Sequence, residues 1–181
     1  MSSDRAVFLD RDGVINDVVL RDGRPFPPPS LAELRLLEGV KETIRGLKAA
    51  GLSVVVVTNQ PDVRTGLQSR DVVEAIHAHL RSELEIDAIE VCFHVDADGC
   101  SCRKPAPGML LQAAERAGLD LAKSFLVGDR WRDIEAGERA GCSTFWIRND
   151  YAERKPERPD FVVRSLAEAG ERILEQLGRE T

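Results

Sequence analysis

Ser53-Val-Val-Val-Val-Thr58 is the stretch that decides the fold, because four consecutive valines leave no polar side chain for an exposed face. A strand of this kind is buried on both sides, as strands of parallel sheets are. Apolar residues at helical spacing flank it at 38–50 and at 69–85, where Gly51 ends the first helix and Ser69 is a good N-cap for the second. A buried strand between two helices predicts a parallel α/β sheet.

The same alternation continues along the whole chain. Further strands are predicted at 6–10, 89–93, 124–129, 144–147 and 161–163, the last as an edge strand, and further helices at 108–117, 131–140 and 165–177. Right-handed crossovers then give a doubly wound, Rossmann-like parallel sheet with helices on both faces. We find no internal repeat and no long linker, so residues 1–181 are predicted to form one domain. The proline-rich segment 24–29 and the cysteine segment 92–102 are expected to be loop insertions at one sheet edge.

Composition limits the class of protein. Apolar residues make up 43% of the chain and charged residues 31%, which is typical of a globular protein and not of a disordered one. The net charge of −6 argues against nucleic acid as a partner. The first five residues lack the apolar core that is typical of a signal peptide, and no apolar run reaches the roughly 20 residues of a membrane span. A cytoplasmic protein, monomeric and without a membrane partner, is therefore expected.

Two aspartates follow the first predicted strand, Asp10 and Asp12, with Gly13 marking a turn. In parallel α/β sheets, ligands bind at the carboxyl ends of the strands, so both carboxylates can reach one mouth. Such a pair suits metal-assisted nucleophilic chemistry, in which one acid attacks and the other moves a proton. The alternative is an ordinary polar turn, for which Asp-Gly is common.

Two other segments place polar groups beside the same mouth. Thr58 and Asn59 end the valine strand and can bind phosphate oxygens without adding negative charge, or can cap the next turn. Arg103 and Lys104 precede a Pro-x-Pro loop that would present Lys104 rigidly to carboxylates or phosphate. The alternative for an Arg-Lys pair is a solvated surface.

The strand at 124–129 ends on Asp129, a suitable Mg²⁺ ligand. Asp133 follows one helical turn later and can bind the metal through water, hold Lys104, or complement the helix dipole. Arg130, between them, is a candidate supporting residue.

Three cysteines and a histidine cluster within eleven residues as Cys92-x-His94-x5-Cys100-x-Cys102. Three thiolates and an imidazole are enough for a closed tetrahedral Zn²⁺ site with no open position, which is the structural type. The alternative is a loop with reduced cysteines. The fourth cysteine, Cys142, is predicted to be a small core residue.

In this order, the motifs Asp-x-Asp-Gly, Thr-Asn, Lys-Pro and Gly-Asp-x-x-x-Asp resemble those of the haloacid-dehalogenase-like (HAD) phosphohydrolases over residues 6–147. The resemblance implies that Asp10 is a nucleophile that takes the phosphoryl group as an aspartyl phosphate. Asp12 would protonate the leaving oxygen and then activate water. It further implies that Thr58 and Lys104 hold the phosphate, and that Asp10, Asp129 and the backbone carbonyl of Asp12 bind Mg²⁺.

The cysteine segment narrows the resemblance. Together with Thr58-Asn59-Gln60 and Arg103-Lys104-Pro105, it is similar to the D-glycero-D-manno-heptose 1,7-bisphosphate 7-phosphatases and their relatives, the histidinol-phosphate phosphatases. In the heptose enzymes the Arg-Lys pair recognises the substrate, which adds Arg103 as a specificity residue. The insertions are too short for a cap domain. A capless Mg²⁺-dependent phosphatase of a small phosphorylated sugar is expected. The alternatives are a histidinol-phosphate phosphatase, another small-metabolite phosphatase, and a non-catalytic zinc-stabilised binding module.

Overall fold

Six parallel strands form the central sheet of the computed structural model, which describes residues 4–179. In chain order the strands of the described residues are β1 (Ala6–Leu9), β2 (Val19–Arg21), β3 (Arg24–Phe26), β4 (Ser53–Asn59), β5 (Ala88–Cys92), β6 (Phe125–Gly128), β7 (Ser143–Ile147) and β8 (Phe161–Val163). Two of these strands, β2 and β3, lie outside the central sheet. The α-helices are α1 (Val40–Ala49), α2 (Asp62–Thr65), α3 (Arg70–Glu83), α4 (Gly108–Ala117), α5 (Trp131–Ala140) and α6 (Leu166–Arg179). The sheet has the order β5-β4-β1-β6-β7-β8, with every neighbouring pair parallel.

Helices cover both faces of this sheet. On β1, Val7 and Leu9 point into a core formed with α1, α3 and α6, whereas Phe8 points into a second core formed with α4 and α5. The valine run of β4 divides in the same way, and its four valines are at most 2% exposed. The predicted doubly wound parallel α/β sheet is therefore confirmed.

The topology brings two strand ends together at the centre of the sheet. After β1 the chain builds β4 and β5 on one side, and then crosses to build β6, β7 and β8 on the other. The carboxyl ends of β1 and β6 therefore lie side by side where the winding reverses. Ligands bind at such a reversal point in open α/β sheets.

The segment 19–26 differs from the loop that we expected. It forms an antiparallel hairpin of β2 and β3, separate from the main sheet, with Asp22 and Gly23 at its turn. Both turn residues have positive φ angles, 50° and 73°, which two-residue hairpin turns of type I′ require. The loop interpretation was wrong because the Asp-Gly pair between two short strand-forming segments is itself a hairpin signal. Across residues 4–179, no helix combines the length and the apolar composition that a bilayer crossing needs.

Candidate active site

Three carboxylates meet at the reversal point of the sheet. Asp10 directly follows β1, and its main-chain N–H donates to the carbonyl of Val127 on β6 at 3.0 Å. Asp129 directly follows β6, and Asp133 lies in the first turn of α5. Each of the three contributes an oxygen within 4.8 Å of the others. The structure thus brings together acids that the sequence predicted to share one mouth.

Lys104 lies among these acids and is only 1% exposed. Its Nζ is 2.8 Å from Asp10 Oδ1 and 2.6 Å from Asp133 Oδ1, and it donates to the carbonyl of Val57 at 2.7 Å. All three ammonium protons therefore have an acceptor. Of the roles considered for Asp133, the structure shows that of holding Lys104, while its Oδ2 accepts from the main-chain N–H of Arg130 at the start of α5.

Close backbone packing makes this arrangement possible. A Cβ added at Gly128 would lie 2.1 Å from the Cβ of Asp133, so glycine is needed where β6 passes under α5. Gly13 has a φ of +82°, and a Cβ there would lie 1.9 Å from an oxygen of Asp129. The turn predicted after Asp12 therefore both reverses the chain and leaves room for the Asp129 carboxylate.

Burial and mutual repulsion disfavour ionisation of the carboxylates. Burial, followed by the charge of Asp133, raises the pKa of Asp10 to about 6. Burial and the charges of Asp10 and Asp133 hold the pKa of Asp129 well above its ordinary value. Burial alone would lower the pKa of Lys104, but the two neighbouring carboxylates outweigh it and raise that pKa. The site is therefore short of positive charge even with Lys104 in place.

Asp12 is held firmly beside this cluster. The Arg11 guanidinium donates to both of its oxygens, with Nη2 at 2.9 and 3.0 Å. Asn16 donates to Oδ1 at 3.0 Å, and Gln60 donates to Oδ2 at 2.7 Å. No role was predicted for Arg11, Asn16 or Gln60, although each lies within four residues of a predicted site residue.

Thr58 and Asn59, at the end of β4, make different hydrogen bonds. Thr58 is 1% exposed, and its hydroxyl accepts from Gln60 Nε2 at 2.9 Å. Both polar groups of the Asn59 amide are engaged by the backbone of Lys104, at 3.0 and 3.1 Å. The amide of Asn59 therefore holds the Lys104 segment, and the second N–H of its Nδ2 is not used by these two contacts.

Two arginines at the mouth share a partner that the sequence analysis missed. Arg103 Nε lies 2.7 Å from Asp96 Oδ1, and Arg132 Nη2 lies 2.9 Å from Asp96 Oδ2. Arg130 is bound by Glu153, with its Nε 2.9 Å from Oε1. Asp96 lies in a loop between His94 and Cys100, and no spacing in the sequence distinguishes it from other charged loop residues. Its role was therefore not predictable from the sequence.

A cavity of about 230 Å³ opens beside Asp10, Asp12 and Asp133. Besides Asp10, Asp12 and Asp133, it is lined by the hairpin residues 24–27 and by residues 59–62. Its positively charged residues are Arg24, Arg103, Lys104, Arg130 and Arg132. Within residues 4–179, the side chain of Arg24 is the one among these five that has no ion-pair partner.

Comparisons with known proteins agree with this geometry. The hydrolase-like family model (HAD-hydrolase-like) matches residues 101–169. The chain is 35% identical over 182 aligned residues to D-glycero-beta-D-manno-heptose-1,7-bisphosphate 7-phosphatase of Bordetella bronchiseptica, covering 95% of this chain and 99% of that one. The enzyme of the same name from Escherichia coli K12 is 32% identical, with 94% of both chains covered. The chain belongs to the HAD-like phosphatase family of these enzymes. It is a phosphoric monoester hydrolase.

A solved structure extends the comparison. The D,D-heptose 1,7-bisphosphate phosphatase from B. bronchiseptica, complexed with magnesium and phosphate, superposes on this phosphatase with a TM-score of 0.79 at 33% identity. The alignment covers 95% of this chain and 99% of that one. Magnesium and phosphate are thus ligands of a relative with this fold.

The residues of this phosphatase fit a divalent cation at Asp10 and Asp129. By distance and angle, neither oxygen of Asp129 has a hydrogen-bond donor among the described residues, although both are buried. The Tyr151 phenol interacts with the Asp129 carboxylate and partly offsets the rise of the Asp129 pKa. Buried carboxylates without a partner are rare unless they coordinate a metal. Asp133 lies in the same cluster, but each of its oxygens already accepts a hydrogen bond, from Lys104 and from the main-chain N–H of Arg130.

A second cluster of the phosphatase lies just past the edge strand β5. The donor atoms of Cys92, His94, Cys100 and Cys102 lie within 4.8 Å of one another. Four distances between these donor atoms run from 3.3 to 3.7 Å, and the Sγ–Sγ distance between Cys92 and Cys102 is 2.9 Å. A tetrahedron with Zn–S bonds of 2.3 Å has edges of about 3.7 Å, so the donor set fits zinc. Cys142 lies apart in the apolar core, as predicted, and burial raises the pKa of its thiol to about 12.

Proposed function

We propose that this phosphatase removes the 7-phosphate of D-glycero-D-manno-heptose 1,7-bisphosphate through an aspartyl phosphate on Asp10. The observation that carries the proposal is the buried Lys104 clamp between Asp10 and Asp133, next to Asp129, whose buried carboxylate has no ion-pair partner among residues 4–179. The named relatives, which align over nearly the whole chain, support the choice of sugar.

The chemistry follows from where each side chain lies. Asp10 attacks the phosphorus, while Lys104 neutralises charge on the phosphate oxygens. Thr58 offers its hydroxyl to the same group. Asp10, Asp129 and the main-chain carbonyl of Asp12 would hold Mg²⁺, whose charge offsets repulsion between the carboxylate and the phosphate. Because phosphoryl transfer passes through a loose transition state, positioning and charge neutralisation supply most of the catalysis.

Asp12 supplies the proton transfers of the cycle. It gives a proton to the leaving sugar oxygen when Asp10 attacks. As a carboxylate, it then takes a proton from the water that hydrolyses the aspartyl phosphate. The donors from Gln60 and Asn16 orient its two oxygens for these steps.

The cysteine cluster is proposed to bind structural zinc and to hold the segment that carries Lys104. Lys104 lies two residues after Cys102, and the main-chain N–H of Arg103 donates to Cys100 Sγ at 3.4 Å. Asp96, between His94 and Cys100, also holds Arg103 and Arg132. Four protein ligands leave no position for a substrate or a reactive water.

The zinc proposal predicts a specific result for Cys100→Ala. This variant should lose most of its bound zinc, unfold at a lower temperature, and lose activity because the Lys104 segment loosens. The matched control is Cys142→Ala, which removes a core thiol and should keep stoichiometric zinc. Metal analysis by mass spectrometry and thermal unfolding are the measurements. Stoichiometric zinc in Cys100→Ala would contradict the ligand set.

The excess of arginines at the mouth suits a substrate with a second phosphate. Arg24 lies on the hairpin, and its side chain has no ion-pair partner within residues 4–179, whereas Arg103 carries a buried Nη1 without a hydrogen bond. We expect Arg24→Gln to raise KM for the bisphosphate about 10-fold, the loss of a charge-assisted hydrogen bond, and to leave kcat nearly unchanged. A monophosphorylated substrate should show little change. Steady-state kinetics on both substrates measure the difference, and equal effects on both would contradict it.

The test of the proposed function is a comparison of kcat/KM across phosphate esters. The set contains heptose 1,7-bisphosphate, hexose bisphosphates and histidinol phosphate, each with Mg²⁺ present. We expect the heptose bisphosphate to lead by at least about 10-fold, and phosphorus NMR to show loss of the 7-phosphate first. If kcat/KM is highest for histidinol phosphate, the proposed heptose substrate is wrong. A monomeric, cytoplasmic enzyme made of one domain over residues 1–181 stays a prediction.

A further inference from the structure

The helix α3 carries one buried polar side chain that the chemistry above does not use. His77 is 4% exposed, and its Nε2 lies 3.1 Å from Nη1 of Arg11. Arg11 is fully buried and donates through Nε and Nη2 to Asp12. A continuous chain of hydrogen bonds therefore runs from α3 through the guanidinium to Asp12.

The direction of these hydrogen bonds follows from the chemistry of arginine. A guanidinium only donates and stays protonated in proteins. Nε2 of His77 must therefore be the acceptor, and the ring proton must sit on Nδ1. Burial, and then the charge of Arg11, lowers the pKa of His77 to about 4, with Arg81 acting in the same direction and Asp12 against it. His77 is thus neutral wherever the enzyme is assayed near pH 7.

We propose that His77 is a positioning residue, which fixes the Arg11 guanidinium and thereby the orientation of the Asp12 carboxylate. The inference rests on the proposed role of Asp12 as the acid and base. Without an acceptor at position 77, Nη1 of the buried Arg11 guanidinium loses its hydrogen bond to Nε2 of His77, and the guanidinium is free to rotate. The hydrogen bonds from Arg11 to the two oxygens of Asp12 then weaken, and the rate of proton transfer to the leaving group falls.

The expected signature is a dependence on the leaving group. An alkyl phosphate needs a proton as its oxygen leaves, whereas a nitrophenyl phosphate leaves without one. For kcat/KM, which includes steps only up to leaving-group departure, His77→Met should lose about 10- to 100-fold with a sugar phosphate, a part of what general acid catalysis contributes. With nitrophenyl phosphate the same ratio should change by less than about 3-fold. If His77 only stabilised the fold, its substitution would lower kcat/KM equally for both substrates.

Two further variants separate positioning from folding. His77→Gln places an amide oxygen near the site of Nε2, so it should recover most of the loss. Arg11→Lys keeps the charge but cannot bridge position 77 and Asp12, so it should reproduce the leaving-group dependence even if His77→Met does not fold. His79→Met, at an exposed position of the same helix, is the matched control and should match the unmodified enzyme.

The decisive experiment measures kcat/KM on both substrates for His77→Met, His77→Gln, Arg11→Lys and Asp12→Asn. Support is a leaving-group dependence in Asp12→Asn that His77→Met and Arg11→Lys share and His77→Gln lacks. If Asp12→Asn shows the dependence and both other variants do not, the positioning role is overturned while the proposed function stands. If Asp12→Asn itself shows none, the assignment of Asp12 fails and this inference fails with it.

Discussion

Asp10→Asn is expected to lower kcat by about 10⁴-fold or more, because an amide cannot serve as the nucleophile that carries the phosphoryl group. The backbone position of residue 10 should not change, since its N–H remains bound to the carbonyl of Val127. The measurement is steady-state hydrolysis of a sugar phosphate with saturating Mg²⁺. Undiminished turnover in this variant would contradict the covalent mechanism.

The same substitution should not destabilise the protein in magnesium-free buffer. The pKa of Asp10 is about 6 in the folded state, mainly through burial, against about 3.8 in an unfolded chain. The folded state therefore binds more protons between these values, and ionisation of Asp10 costs stability as pH rises from about 4 to 6. Asp10→Asn removes that cost. We expect its unfolding temperature at pH 7 to equal or exceed that of the unmodified protein, with the difference shrinking towards pH 4.

The matched control for Asp10→Asn is Asp17→Asn. Asp17 is an exposed aspartate seven positions later, and its side chain accepts a hydrogen bond from the main-chain N–H of Val18. This variant should keep its activity. A comparable loss in both variants would indicate a general disturbance of the segment and would leave no special role for position 10.

Lys104→Met is expected to produce the largest loss of stability. Among residues 4–179, it removes the one side-chain cation that contacts both Asp10 and Asp133, which are both buried. Breaking a buried ion pair by removing one partner costs about 3–5 kcal/mol. At this chain length that cost corresponds to a fall of roughly 10 °C in unfolding temperature. Activity should also fall by about 10²-fold or more, because the positive charge beside the phosphate is lost.

Magnesium should rescue part of that stability. With Lys104 gone, a cation at Asp10 and Asp129 would replace part of the lost positive charge, so Mg²⁺ should raise the unfolding temperature of the variant more than that of the unmodified protein. The control is Lys123→Met, which breaks ion pairs with Asp4 and Asp120 at an exposed site. Exposed pairs are worth up to about 1 kcal/mol. Equal stability of Lys104→Met and Lys123→Met would contradict the clamp.

Much of the fold was predictable because strand burial and glycine positions leave local signals. The valine run of β4 specifies a doubly buried strand, and helices α4 and α5 begin and end where the sequence predicts. The hairpin of β2 and β3 shows the limit: its turn signal, Asp22-Gly23, was present but was outweighed by the neighbouring prolines.

The acids and Lys104 were predictable because each follows a strand end or a rigid loop. Their partners were not, because contacts such as Arg11 with His77 join residues 66 positions apart. The contacts of Asn59 with the backbone of Lys104 were not predictable for the same reason.

The most direct test of the account traps the covalent intermediate. In Asp12→Asn, attack on nitrophenyl phosphate needs no acid, but hydrolysis of the product lacks its base, so aspartyl phosphate should accumulate. Borohydride reduces an acyl phosphate to an alcohol, which converts the modified aspartate into homoserine. We predict homoserine at position 10 alone, detected by peptide mass spectrometry, and none without substrate. Homoserine at any other aspartate, or none in a variant that still releases a burst of nitrophenol, would contradict the assignment of Asp10 as the nucleophile.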